Sequence, residues 1–173
     1  GALAGQISRA RYVAFLTQAW HHVRHTVPLL MAVGARLPDH HAKLRNDLIH
    51  YLEEETGHDD WILNDIEAAG GNRRAVVSST PNVETDTMVA YAWDTVQRRN
   101  PVGFFGMVYV LEGTSVSLAV RAADAIERTL RLPPTAFTYL RSHGTLDLEH
   151  IEHLGRILDG LTDPADQAAV IQC

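Results

Sequence analysis

The chain has 173 residues, of which 46% are apolar and 21% charged, and a formal net charge of −6. That composition belongs to a globular protein long enough to bury a real core, and the acidic balance argues against a nucleic-acid partner, which needs a basic face. Cys173 is the one cysteine, which excludes an intrachain disulfide and a thiolate metal site.

The opening GALAGQISRARY lacks the apolar stretch of a signal peptide. No run approaches the roughly 18 continuous apolar residues of a membrane span. The expectation is a cytoplasmic protein without a membrane partner, with residues 1–173 as one domain. Residues 6–36 read as a helix with apolar Val13, Leu16, Ala19, Trp20, Val23 and Val27, kinked at Pro28. Asp39 is the expected cap of a second helix over about 40–69, closed by Gly70-Gly71. The segment GNRRAVVSSTP reads as a loop, although its AVVSS is strand-like. Helices are predicted at 82–99, 102–131 and about 135–160, separated by Asn100-Pro101 and Pro133-Pro134. A sixth begins at Thr162-Asp163-Pro164, with Pro164 in its first turn, and runs only to Cys173. No segment alternates convincingly with period two, so the fold class is all-α, a compact helical bundle that reads as lacking part of its last helix.

Ten histidines are the unusual count. In SHGTLDLEHIEH, His143, Asp147 and His150 fall at i, i+4 and i+7, within an arc of about 60° on a helix; His153 is the marginal member. Imidazole nitrogen and carboxylate oxygen suit iron, manganese or zinc. In YLEEETGHDDWILNDI, Glu55 and His58 form Glu-x-x-His, with Glu54 at i, i+4 as the less favoured donor. That motif on a bundle helix is the ligand pair of di-iron carboxylate proteins. Glu53, Asp59 and Asp60 read as solvated surface. Glu112 stands among Phe105, Val108, Tyr109, Ser115, Val116 and Ala119, with no Lys or Arg between Arg99 and Arg121. A carboxylate there needs a partner, and a cation is the economical one. The neighbouring Gly113 would allow a close approach. Together Glu55, His58, Glu112, His143, Asp147 and His150 supply three carboxylates and three imidazoles, a set that fits two metal ions.

Glu-x-x-His, then a lone Glu followed by Gly in an apolar helix, then His-x-x-x-Asp-x-x-His resembles the haem-oxygenase-like di-iron oxidases and oxygenases, over roughly residues 15–160. The resemblance implies a haem-oxygenase-like helical fold without haem and two iron ions cycling between Fe2+ and Fe3+. It also implies O2 as co-substrate and a small organic substrate such as a fatty acid, an amino acid or an amine. Glu112 takes the catalytic position and, with Asp147, can bridge the ions. Some members take a carboxylate seven residues before the histidine; here that position is Tyr51. A homodimer is a further expectation. Phe104, Phe105, Met107, Val108, Val116, Trp20, Val27 and Leu30 are candidates for a substrate pocket, although ordinary core accounts for most of them. His21, His22 and His25 read as surface or supporting groups rather than ligands. A haem-binding or haem-degrading protein of the same fold would use one of them and leave Glu112 and the His143 triplet unexplained. A thiaminase-type hydrolase would need a cysteine in the pocket, and Cys173 stands at the wrong end. A metal-stabilised binding module without catalysis is the remaining alternative.

Overall fold

Helices account for nearly all the regular structure of this chain. The computed structural model describes residues 6–173, save the side chains of 144–150, and the described residues contain no β-strand. The all-α class read from the sequence is the observed one. Helix α1 (Arg9–Val23) is capped by Ser8, whose Oγ accepts a hydrogen bond from Arg11 N at 3.2 Å. Helix α2 (Thr26–Arg36) follows after a break at Arg24-His25. The expected kink at Pro28 is therefore displaced upstream. A new helix starts just before the proline, so its missing N–H falls among the first-turn groups that have no intrahelical partner.

The predicted helix over 40–69 is likewise two. A 3-10 turn at Asp39–His41 leads into α3 (Ala42–Glu55), and Asp39 makes no side-chain cap. Helix α4 (His58–Ala68) begins beyond Gly57, whose φ of 94° lies in the left-handed region that glycine tolerates. The expected loop contains α5 (Arg73–Val77), a short helix capped by the Asn72 side chain, which accepts from Ala75 N at 3.1 Å. Helices α6 (Val83–Arg98), α7 (Phe104–Leu130), α8 (Thr138–Asp159) and α9 (Pro164–Gln172) follow the predicted order, with Asn82 and Asp163 as side-chain caps of α6 and α9. By length and composition α7 could cross a membrane; here it is the central helix, packed along α8 and against α9.

The apolar core falls into two clusters, and three helical segments pass from one to the other. The first cluster gathers Tyr12 and Leu16 of α1, Ile62 and Ile66 of α4, Ala119, Ala123 and Ile126 of α7, and Leu140 of α8. The second gathers Leu30 and Val33 of α2, Leu44 and Leu48 of α3, Phe104, Phe105 and Val108 of α7, and Leu154 of α8. Between the two, α7 carries Glu112, α8 carries His143, and the α3–α4 junction carries Glu55 and His58. The polar residues thus occupy the seam between two dry clusters, where each helix changes partners.

Gly106 marks the tightest approach of α9 to α7: a Cβ added there would run into the carbonyl oxygen of Val170. Gly106→Ala is expected to cost about 2 kcal/mol, a typical overpacking penalty. Urea denaturation would show the loss. Faster thiol labelling of the half-buried Cys173 would show that α9 has been pushed away.

Candidate metal centre

Glu55 is the last residue of α3 and His58 the first of α4, so the Glu-x-x-His pair does not lie on one continuous helix as expected. The turn at Thr56-Gly57 folds the two side chains together, and His58 Nδ1 lies 3.1 Å from Glu55 Oε2. Both are buried, His58 to 2% exposure. A carboxylate oxygen only accepts, so this bond puts a proton on Nδ1 and the lone pair on Nε2. Glu54 points elsewhere: it is exposed and pairs with His50 at 3.3 Å. Glu53 and Asp60 are at the surface, Asp60 bridging to Arg73 at 2.7 Å, while Asp59 is partly buried.

His143 comes to the same place from α8. Its Nδ1 lies 3.0 Å from the Tyr139 carbonyl oxygen one turn earlier, which again fixes the proton on Nδ1 and leaves Nε2 as the donor atom. The His58 and His143 rings meet edge to face, their centroids 4.8 Å apart, and the His58 ring lies against Trp61 at 4.2 Å. Ligand atoms of Glu55, His58 and His143 all lie within 4.8 Å of one another. Glu112, 7% exposed, lines the same cavity as Glu55 and His143. The side chains of Asp147 and His150 lie outside the described residues.

Helix α8 is held at this end by Asp65, which the sequence reading passed over. Asp65 is fully buried on α4, and its two carboxylate oxygens accept from Thr138 N at 3.1 Å and Tyr139 N at 2.8 Å. These are first-turn amides of α8, so Asp65 caps a helix distant in sequence. It thereby sets the turn that carries Tyr139 and His143. The signal for it was an acidic residue on the face of α4 that carries Ile62, Ile66 and Ala69.

The cavity around the centre has a volume of about 430 Å³. Phe15 and Val23 of α1, Phe104, Val108 and Leu118 of α7, and Leu140 of α8 form its apolar walls. Among the described residues its titratable lining consists of His22, Tyr51, Glu55, Glu112, Tyr139 and His143, with no Lys or Arg. Of the pocket residues proposed from sequence, Phe104 and Val108 of the second cluster also line it, whereas Trp20, Leu30 and Phe105 pack in the core clusters without lining it. Gly113 does not open the cavity; a Cβ there would make ordinary contact with Ile151 of α8 at 3.7 Å.

The three histidines of WHHVRH separate. His21 is buried and bonds Ser79 Oγ at 2.9 Å. His25 accepts from Trp93 Nε1 at 3.3 Å. His22 lines the cavity, and burial, with His143 and His25 nearby, pushes its pKa down to about 4, so it is neutral at pH 7.

The donor set fits a metal. Two imidazoles with fixed tautomers and a buried carboxylate converge within ligand reach, beside a second buried carboxylate and without a competing protein cation in the cavity lining. This defines the class: an all-α protein with a hard-donor nitrogen and oxygen centre between two halves of its core. The chain belongs to the family of iron-containing redox enzymes, which it matches over residues 13–173. Its fold is similar to that of a domain of unknown function with a heme oxygenase-like fold from Shewanella denitrificans OS217. The TM-score is 0.90 at 28% identity, with 99% of this chain and 74% of that chain covered. No protein of curated function matches the chain. The family and the haem-oxygenase-like fold inferred from the ligand pattern are thus the observed ones.

Proposed function

We propose that the chain is a non-haem di-iron oxidase or oxygenase that uses O2 on a small organic substrate. The observation that carries this reading is that Glu55, Glu112 and His143, from three helices, line one apolar-walled cavity, with His58 of a fourth helix closing on Glu55 and His143 within ligand reach. Glu55, His58 and His143 would hold iron, joined by Glu112 and by Asp147 and His150 of the sequence pattern. The iron pair, when bound, would supply the electrons that reduce O2.

The remaining work belongs to the chain itself. The Tyr139 carbonyl holds the His143 ring in one orientation, and the α3–α4 turn does the same for His58. Glu112, which lines the cavity, would hold a cation or take a proton at a carboxylate oxygen. The lining favours a substrate with an apolar body and one polar end, such as a fatty acid or a long-chain amine. The alternative, haem binding, draws on His22 or His25 and leaves the buried carboxylates without a role.

Anaerobic titration of chelated protein with Fe2+ is expected to end near two irons per chain, and admission of O2 to the loaded protein to consume the gas. Failure to load iron would sink this reading, and a Soret band on adding haemin would replace it with the haem alternative.

A further inference from the structure

We infer that His22 anchors the polar head of the substrate, donating a hydrogen bond from the α1 wall of the cavity to an oxygen anion drawn to the metal centre. The inference rests on the iron-centre reading and goes beyond it by adding a residue that is not a ligand.

His22 lines the same cavity as Glu55, Glu112 and His143. Among the described residues it is not one of the three, Glu55, His58 and His143, whose ligand atoms close within 4.8 Å. It therefore shares the space of the centre without joining it, and a bound molecule in that cavity can reach both. Its neighbours in sequence have protein partners: His21 has Ser79 and His25 has Trp93. Among the described residues His22 makes no hydrogen bond, although it is half-buried. With no protein partner among the described residues, its N–H is available to a molecule bound in the cavity.

The chemistry of the ring selects the head group. An imidazole carries at least one N–H donor in either protonation state. Bound cations on the α3–α4 and α8 side draw an oxygen anion, and the His22 N–H can bind a second oxygen of the same group. An ammonium head would instead compete with the metal for Glu55 and Glu112. The flanking Phe15 and Val23 then contact an apolar body. A carboxylate on an apolar chain meets each of these demands.

The test uses anaerobic calorimetry on Fe2+-loaded full-length protein with decanoate and decylamine as probes. Wild type is expected to bind decanoate more tightly than decylamine. His22→Ala should weaken decanoate binding by about tenfold, the loss of one hydrogen bond to a charged group. His22→Gln, which keeps an N–H donor, should recover most of that loss. Both variants should load iron like wild type. Unchanged decanoate affinity in His22→Ala overturns the inference, as does wild type that holds iron but does not bind decanoate. Reduced iron loading in His22→Ala would make the residue a ligand and also overturns it. Wild type that takes up no iron removes the underlying reading, an outcome visible before any probe is added.

Discussion

Alanine at His143 is expected to reduce iron loading from near two per chain to one or fewer, and alanine at Glu112 to do the same. The reasoning is geometric. His143 brings a lone pair on Nε2 into a set whose ligand atoms lie within 4.8 Å of one another, and the Tyr139 carbonyl holds it in that orientation. Disturbing a supporting group around a metal typically costs about 10–100-fold in affinity, so deleting a donor should cost at least that. Glu112 contributes a buried negative charge in a lining without Lys or Arg. Without it, the positive charge of a second ion loses much of its compensation. Glu54→Ala is the matched control, since its carboxylate is exposed and pairs with His50; it should load normally. Metal analysis after anaerobic reloading and desalting reads all three variants. Wild-type loading in both His143→Ala and Glu112→Ala would end the di-iron proposal.

The second large effect is expected at Asp65, two turns beyond His58 on α4 and not itself a metal ligand. Asp65→Ala removes the buried acceptor of two first-turn amides of α8. Charge-assisted bonds of this kind are worth about 1.5–3 kcal/mol each in a buried setting, less what relaxation recovers. A loss of about 3 kcal/mol is expected, a fall in Tm on the order of 10 °C for a chain of this size. Because α8 then starts differently, His143 should also bind iron more weakly, which a metal titration would detect.

Asp65 carries a pH signature too. Burial raises its pKa above the ordinary 3.8, against the lowering effect of the Tyr139 and Thr138 bonds. A raised carboxylate pKa means that the folded state holds the proton more tightly than the unfolded one. The stability from this linkage is full below 3.8 and falls as pH rises through the folded-state value. Asp65→Asn cannot titrate. The stability difference, wild type minus Asp65→Asn, should therefore decline across that window and then level off. A flat difference in urea denaturation at several pH values would show that Asp65 does not titrate as described.

How far the sequence could be read depended on whether a feature was local. Helix existence was legible because apolar spacing, Asn and Asp caps, and Pro or Gly stops act within a few residues; α6, α7, α8 and α9 needed nothing more. The breaks at Arg24-His25 and Thr56-Gly57 were not legible. A proline in a first turn and a glycine in a left-handed turn each leave the surrounding helical pattern intact. The second break matters for the site, because it turns an ordinary i, i+3 pair into the tip of a corner aimed at the seam. Burial separates Glu55 from Glu54, which spacing alone did not: Glu55 is buried beside His58, and Glu54 is exposed and pairs with His50.

The sequence by itself determined the helical class and the residue types that can meet a metal, which follow from composition, period and spacing, and its ligand pattern carried the resemblance to the family. Only the tertiary structure decided that the two apolar clusters meet at Glu55, His58, Glu112 and His143. It also decided that Asp65 of one helix begins another, and that His22 faces the cavity while His21 and His25 do not. The physical reason is common to all three. Each depends on which helix face a distant helix covers, and that is settled by packing between segments rather than by the chain's own neighbours.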